Sequence, residues 1–358
     1  MPILAPRWHR VRLASKPHLL IDDKDRSLLL GGDVIRRDVL LLGVAGSLAI
    51  LRPRELCAQA RKDPARIGVM LPVPGNDQFL EAFRAGLLDL GWKLDTDFIL
   101  EVRRADGTMA QFRQFGSEFS ALSMDVTVTA STAAATALGE TSKGKPVIFV
   151  GTFDPVAAGL VDSMEHPGRN LTGTAGFQSE IAANWVSILR EIAPRVERMG
   201  VFSNPSTVSK AGLAGWKAVA EKSAEVFDII VESVADIAPA VARVAQDQRA
   251  GIIVVPHTFP FANRKLVTQA MTDHRVPTIY GIAEMVRVGG LISYGQDLGA
   301  QWRMAASYVD KVLKGAKPSD IPAIYANKYS LAINTVTAEA IGLQVPPTLL
   351  ARADEVIE

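Results

Sequence analysis

The stretch that decides the fold runs from Arg66 to Trp92 and reads RIGVMLPVPGNDQFLEAFRAGLLDLGW. Its opening segment RIGVML is typical of a buried strand. The segment after the polar turn PVPGND carries apolar residues at helical spacing, namely Phe79, Phe83, Leu87 and Leu90. Gly91 follows as a helix stop signal. The stretch therefore predicts a strand, a turn and a helix, which is the unit from which parallel sheets are built.

The same alternation recurs along the chain. Further strands are predicted at 98–103, 125–129, 146–150, 198–204, 227–233, 250–258 and 275–281. Helices are predicted between them at 109–122, 131–140, 155–164, 209–224, 238–248 and 261–274. Strands rich in Val, Ile and Leu that alternate with helices indicate parallel sheets covered on both faces. Two such blocks, about 66–173 and 181–282, predict an α/β protein with two doubly wound parallel-sheet lobes.

The elements after the second block are too few for a third lobe. They are strands at 289–295 and 328–334 and a helix at 298–313. We expect them to pass back between the two lobes. The first lobe then comprises 61–174 and about 295–325, and the second comprises 175–294 and about 326–358 with the hinge crossings.

The N-terminal segment 1–60 has the parts of an export signal. Arg36 and Arg37 precede an uncharged apolar run (39–51) and the small-residue site Ala58-Gln59-Ala60. The sequence RRDVLLLG is similar to a twin-arginine signal, so we expect cleavage after Ala60. Two alternatives remain open: a buried N-terminal helix, and a true start at Val34. After cleavage the chain has no cysteine, because Cys57 is the only one.

The composition and the motifs of the chain argue against several classes of function. The 358 residues carry a net charge of +1, which disfavours a nucleic-acid partner. No second apolar run is long enough to span a membrane. The five histidines show no metal-binding spacing, and no catalytic or cofactor motif stands out. We therefore expect a soluble, exported, monomeric protein in the periplasm that is not an enzyme and needs no cofactor or metal.

Ligands of open parallel sheets bind beyond the carboxyl ends of the strands. Small and polar residues follow nearly every predicted strand, and they converge on one cleft if the lobes face each other. The candidate ligand-binding residues are Asn76, Asp77, Ser131, Thr132, Thr152, Asp154, Asn204, His257, Tyr280, Tyr294 and Asp297. Each has a purely structural alternative, such as capping a helix, forming a turn or packing in the core.

Several segments resemble the tryptophan/tyrosine-type substrate-binding proteins of ABC transporters. They are RIGVMLPVP, FDPVAAGLVDSMEHPGRNLTG, GGLISYGQDL, YVDKVLKGAKPSDIP and the ending GLQVPPTLLARADEVIE. The resemblance extends from Arg66 to Glu358. It implies the type I periplasmic-binding-protein fold, in which three crossover strands join two lobes and the ligand lies between them. It also implies a permease and an ATPase, on separate chains, as partners.

The resemblance also implies ligand contacts. Family members seat an amino-acid carboxylate on hydroxyls and amides at helix starts of the first lobe, which match Ser131, Thr132 and Thr152. The ammonium usually meets an acidic or aromatic group from the second lobe, where this chain has His257. Asp154 or Asp297 could substitute, or the ligand could lack the amine. Possible stacking partners for an aromatic ligand are Phe153, Phe259, Tyr280 and Tyr294.

The sequence thus predicts a solute-binding component of an ABC uptake transporter. Its ligand would be a small polar organic acid or amino acid, with an aromatic group as one option, held by closure at the hinge. Two alternatives stay open. The first is a sensor subunit that uses the same closing cleft, and the second is a hydrolase on the same fold that uses Asp154 and His257.

Overall fold

The computed structural model describes residues 63–208 and 210–358. The predicted leader, with its arginine pair and its cleavage site, lies outside these residues. None of the helices in the described ranges is long and apolar enough to cross a membrane.

The described chain alternates strands and helices from beginning to end. The strands are β1 (Ala65–Leu71), β2 (Phe98–Arg104), β3 (Val126–Ala130), β4 (Val147–Phe153), β5 (Leu171–Phe177), β6 (Arg198–Ser203), β7 (Glu225–Ile230), β8 (Ala250–Val254), β9 (Thr278–Tyr280), β10 (Ile292–Gln296), β11 (Ile324–Tyr325), β12 (Tyr329–Asn334) and β13 (Glu355–Ile357). The helices are α1 (Asp77–Asp89), α2 (Met109–Ala121), α3 (Thr132–Thr141), α4 (Ile181–Ile192), α5 (Lys210–Ala220), α6 (Ile237–Val244), α7 (Thr258–Ala262), α8 (Arg264–Asp273), α9 (Ala283–Arg287), α10 (Leu298–Leu313), α11 (Thr335–Ala340) and α12 (Pro347–Leu350). Short 3-10 turns lie at Val234–Asp236 and Pro318–Asp320.

The strands form two sheets, one in each lobe. The first-lobe sheet has the order β11-β5-β4-β3-β1-β2, and all its pairings are parallel. The second-lobe sheet has the order β13-β12-β10-β9-β8-β6-β7 and is parallel except between β10 and β12. This arrangement confirms the prediction of two doubly wound parallel-sheet lobes.

The chain crosses between the lobes three times: between β5 and α4, between β10 and α10, and between β11 and β12. Helix α10 packs on α1 and β4, so it covers the first lobe. A buried amide chain links two crossings. The Nε2 of Gln301 donates to the Oε1 of Gln296 at 2.9 Å, and the Nε2 of Gln296 donates to the carbonyl of Ala326 at 2.7 Å.

Three local predictions are wrong. Leu90 was predicted to lie on the apolar face of the first helix with Phe79, Phe83 and Leu87. It is 45% exposed, because α1 ends at Asp89 and the chain turns through Gly91 at φ 89°. The helix predicted from Pro155 forms only turns, because Asp154 at φ 38° and Gly159 at φ 69° interrupt helical geometry on both sides. The helix predicted at 261–274 is split into α7 and α8 at Asn263, whose φ of −104° and ψ of 25° break the helical path.

Strand β5 was not predicted, since LTGTAGF lacks the apolar run that marks the other strands. The close approach of β4 explains why β5 contains a glycine in place of an apolar side chain. Gly173 has a φ of 151°, and a Cβ there would collide with the backbone carbonyl of Phe149. The pairing therefore requires a residue without a side chain at this position.

Candidate functional site

A cavity of about 760 Å³, including the solvent at its mouth, lies between the two lobes. The first lobe contributes Pro72, Val73, Asn76, Phe79, Ala130, Ser131, Thr132, Val150, Gly151, Phe153, Leu298 and Trp302. The second lobe contributes Thr207, Val208, Pro256, His257, Thr258, Phe261 and Ile282. Most of these residues follow a strand or begin the next helix, so the cavity lies at the carboxyl ends of both sheets.

The cavity wall is mostly apolar and carries no Asp, Glu, Lys or Arg among the described lining residues. Four aromatic side chains line it, from Phe79, Phe153, Phe261 and Trp302. Trp302 is held in place by two neighbours. Its ring is stacked on Phe79 with centroids 6.4 Å apart and meets Phe83 edge-on at 6.3 Å. Such a wall favours a ligand with a large apolar or aromatic part.

The start of α3 lies at one side of the cavity. The hydroxyl of Ser131 accepts a hydrogen bond from the amide of Ala134 at 3.3 Å and keeps its own proton free to donate. The hydroxyl of Thr132 is already used, because it accepts from the amide of Phe153 at 3.0 Å and donates to the carbonyl of Phe153 at 3.1 Å. First-turn amides have no acceptor inside a helix, so this end of α3 is suited to an anionic group.

Ser131 has a strained backbone, with φ 70° and ψ 149°. This region is nearly exclusive to glycine and costs other residues about 1–3 kcal/mol. We expect Ser131→Gly to raise the free energy of unfolding by about 1 kcal/mol, because strain relief exceeds the small loss of capping. Ser131→Ala should lower it by about 1 kcal/mol, because the strain stays and the cap is lost. Urea unfolding of both variants measures the difference. Shifts of the same sign would contradict this account.

Asn76 occupies the capping position of α1 but does not use its side chain there. The residue is 2% exposed, and its Oδ1 has no hydrogen-bond partner within residues 63–208 and 210–358. A buried acceptor without a partner costs about 1–3 kcal/mol. Because Asn76 lines the cavity, its amide oxygen is available to a ligand donor.

The second lobe places His257 and Thr258 opposite the first lobe. The Nδ1 of His257 lies 2.8 Å from the hydroxyl of Thr207. The Nε2 of His257 and the Oγ1 of Thr258 are buried, and neither has a hydrogen-bond partner among the described residues. Burial lowers the pKa of His257 to about 3, against a smaller opposing effect of the Phe202 carbonyl. The imidazole is therefore neutral at physiological pH.

The lobes touch each other at the mouth of the cavity. A Cβ built on Gly107, in the loop after β2, would lie 3.3 Å from both the Cβ of Ala262 and the Cγ2 of Thr258 on α7. A Cβ on Gly75, in the loop after β1, would lie 2.9 Å from a guanidinium nitrogen of Arg264 on α8. Glycine at these two positions lets the loops of the first lobe approach the second lobe closely.

The structure brings four of the eleven predicted site residues to this cavity: Asn76, Ser131, Thr132 and His257. Three others use their side chains in local structure: Asp297 caps α10, and Asp154 and Asn204 hold turns. Asp154 and Asp297 each accept, through Oδ1, the amide three residues further on at 2.9 Å. The Nδ2 of Asn204 donates to the carbonyl of Val231 at 2.8 Å.

The remaining four predicted residues also lie off the cavity wall. Asp77 is exposed and pairs with the arginine that ends β2. Thr152 is fully buried next to the lining residue Gly151, and its hydroxyl has no partner among the described residues. Tyr280 is buried in the second-lobe sheet, and burial raises the pKa of its hydroxyl. Tyr294 stacks on Tyr329 with centroids 5.5 Å apart.

Of the aromatic residues proposed to stack on a ligand, only Phe153 lines this cavity. Asp154 lines a neighbouring, more polar cavity that shares Phe153 as a wall. The residues missed from the sequence include Thr207 and Thr258, each close to a predicted residue, and Phe79 and Trp302, each on a helix. No group of three or more His, Cys, Asp or Glu side chains in the described ranges is placed to hold a metal ion.

Known proteins are similar to this chain in sequence and in architecture. A tyrosine-binding protein from Clostridioides difficile is 25% identical over 288 residues, which cover 79% of this chain and 82% of that protein. A solved ABC domain from Streptococcus pneumonia in complex with L-Trp is 27% identical, has a TM-score of 0.75, and matches 82% of this chain and 100% of its own. A conserved domain protein from Vibrio cholerae is 26% identical with a TM-score of 0.75, and matches 82% of this chain and 100% of its own.

These similarities, with the two parallel-sheet lobes, confirm the type I periplasmic-binding-protein fold and the family expected from the sequence motifs. The family model described as ABC transporter substrate binding protein matches residues 66–357. The chain belongs to the ABC transporter substrate-binding proteins.

Proposed function

We propose that this protein is the periplasmic receptor of an ABC importer for an aromatic amino acid. The observation that carries the proposal is the composition of the interlobe cavity: four aromatic side chains, no charged side chain among the described lining residues, and the start of α3. A relative that binds tyrosine and a similar structure that contains L-Trp support the same ligand class.

Each part of an aromatic amino acid has a matching group in the cavity. The carboxylate would accept hydrogen bonds from the hydroxyl of Ser131 and from first-turn amides of α3. The ammonium would donate to the Oδ1 of Asn76, which lacks a partner among the described residues. The ring would lie against Phe79, Phe261 and Trp302. Ser131→Gly and Ser131→Ala should therefore weaken binding alike, although they change stability in opposite directions.

Closure of the two lobes would trap this ligand. Both lobes contribute to the wall, so a ligand that contacts both favours the closed arrangement. The small gap between Gly107 and α7, where a Cβ would lie 3.3 Å from Ala262, supports a closed arrangement of the lobes. The three crossings, two of them linked through Gln296, would form the hinge.

The leader predicted at 1–60 supports export to the periplasm. The family supports a membrane permease and an ATPase, on separate chains, as partners. The hydrolase alternative gains no support from the geometry, because Asp154 and His257 line different cavities.

A second candidate ligand is an aromatic acid without an amine. The absence of a carboxylate side chain from the described cavity wall favours it, since no opposite charge would neutralise the ammonium. Asp154 and Asp297, the two acids proposed from the sequence to meet the ammonium, are not among the lining residues of this cavity. Asp154 caps a turn and Asp297 caps α10.

Thermal unfolding and calorimetry with matched ligands test the proposal. We expect L-Trp or L-Tyr at about 100 times its Kd to stabilise the protein by about 2.7 kcal/mol, because only the folded state binds. Tryptamine, which lacks the carboxylate, should bind much more weakly. Indolepropionate, which lacks the amine, separates the two candidates: binding tighter than that of L-Trp would favour the second. Stabilisation by none of these aromatic compounds would refute the proposal.

A further inference from the structure

The hydrogen-bond chain behind His257 favours a proton on Nδ1 of its ring. Asn204 starts this chain. Its Nδ2 donates to the carbonyls of Val231 at 2.8 Å and Glu232 at 3.1 Å, while its Oδ1 accepts from the amide of Ser206 at 3.0 Å. The side-chain amide therefore has one orientation, with Oδ1 as an acceptor.

The hydroxyl of Thr207 lies 3.3 Å from this Oδ1 and 3.5 Å from the backbone carbonyl of Asn204. Both oxygens can only accept, so Thr207 can donate its single hydroxyl proton towards Asn204. In that arrangement the oxygen of Thr207 accepts from the Nδ1–H of His257 at 2.8 Å. A neutral imidazole carries one proton, and burial keeps this imidazole neutral. With the proton on Nδ1, Nε2 is a bare acceptor.

This Nε2 is buried and has no hydrogen-bond partner in the part of the chain that the structure describes. His257 as a whole is 7% exposed and lines the cavity from the second lobe. Three unpartnered polar atoms thus belong to described lining residues: the Nε2 of His257 and the Oγ1 of Thr258 on the second lobe, and the Oδ1 of Asn76 on the first. The ammonium assigned to Asn76 leaves the His257 acceptor for another donor on the ligand.

We propose that His257 carries its proton on Nδ1 and that its Nε2 accepts a hydrogen bond from an N–H or O–H group on the ligand's aromatic ring, so that the site selects indole or phenol side chains over a plain phenyl ring. This inference rests on the proposed function. A site built to accept such a donor rejects an analogue without it, because the buried acceptor then stays unpaired. Thr207 is a positioning residue, since it sets the tautomer of His257 and does not itself bind the donor of the ligand.

Analogues that delete only the ring donor test the inference. In benzothienylalanine a sulfur atom replaces the indole N–H of L-Trp with little change of shape, and L-Phe lacks the hydroxyl of L-Tyr. Titration calorimetry on the full chain should show that each donor-bearing ligand binds about tenfold to a hundredfold more tightly than its analogue. His257→Leu should remove this preference, and His257→Gln, which restores an acceptor, should recover part of it.

Two readouts are independent of affinity. Nitrogen NMR of the free protein should show His257 protonated at Nδ1 and bare at Nε2, and Thr207→Val should shift the proton to Nε2 because Nδ1 loses its acceptor. If L-Trp and benzothienylalanine bind with equal affinity, or if Nε2 carries the proton in the wild type, this inference is overturned while the proposed function stands. If no aromatic amino acid binds, the proposed function itself fails.

Discussion

Gly107→Phe is expected to weaken ligand binding about 5- to 150-fold. A Cβ at this position already lies 3.3 Å from α7, so a phenyl ring must hold the lobes apart or force the contacting side chains to move. Overpacking of this kind costs about 1–3 kcal/mol, and every 1.4 kcal/mol is tenfold in affinity. This overpacking penalty applies only to the closed arrangement of the lobes. Calorimetry with L-Trp measures the affinity, and X-ray scattering with and without L-Trp reports whether the lobes still close.

Gly91→Phe is the matched control. Gly91 has a φ of 89°, close to the 92° of Gly107, but no neighbouring atom among the described residues would lie within 4 Å of a Cβ at this position. Both variants should therefore lose about 1–2 kcal/mol of stability from backbone strain, and only Gly107→Phe should lose affinity. Equal affinity of the two variants for L-Trp would show that the loop after β2 does not take part in closure.

Acid is expected to destabilise the wild type by up to about 5 kcal/mol more than a His257→Gln variant. The pKa of His257 is about 3 in the folded protein and about 6.5 when unfolded. Between these values the unfolded chain binds a proton that the folded protein refuses, so stability falls as pH falls. The stability that comes from keeping His257 neutral is fully present above pH 6.5 and is lost by about pH 3. Each pH unit in this window is worth about 1.4 kcal/mol.

Urea unfolding at several pH values between 7 and 4 checks this prediction. The relevant quantity is the difference between wild type and His257→Gln as a function of pH, because the variant also changes packing at every pH. The same substitution at the exposed His274 controls for losing a histidine from the surface. Parallel pH profiles for wild type and His257→Gln would show that His257 charges as easily in the folded protein as in the unfolded chain.

Sequence reasoning predicted the strands that have a clear apolar run and the helices that have apolar residues at helical spacing. It failed where a backbone contact decided the composition. Gly173 sits in β5 because the backbone of Phe149 leaves no room for a Cβ, and such a contact between distant residues leaves no local pattern. It also failed after Asp154, where helix-compatible residues follow a backbone with positive φ.

The site was predictable to the extent that it follows strand ends. That rule located Ser131, Thr132, Asn76 and His257, which all line the cavity. It could not separate them from Asp297 or Asn204, which also follow strands but use their polar atoms to cap a helix and to hold a loop, respectively. Trp302 lies a full turn inside α10, where an apolar residue fits a core position as well as a ligand wall, so only the packing of the lobes reveals it.

Among the described residues, the cavity wall carries no ionised side chain, which bears on how salt affects binding in the proposed site. Attraction between a ligand and fixed surface charges weakens as salt rises, because the Debye length shortens from about 30 Å at 0.01 M to about 3 Å at 1 M. In the proposed site most of the binding free energy comes from dispersion, desolvation and buried hydrogen bonds, which mobile ions barely screen, and only the attraction of the α3 dipole for the carboxylate is weakened by salt. The affinity should therefore change little between low and high salt.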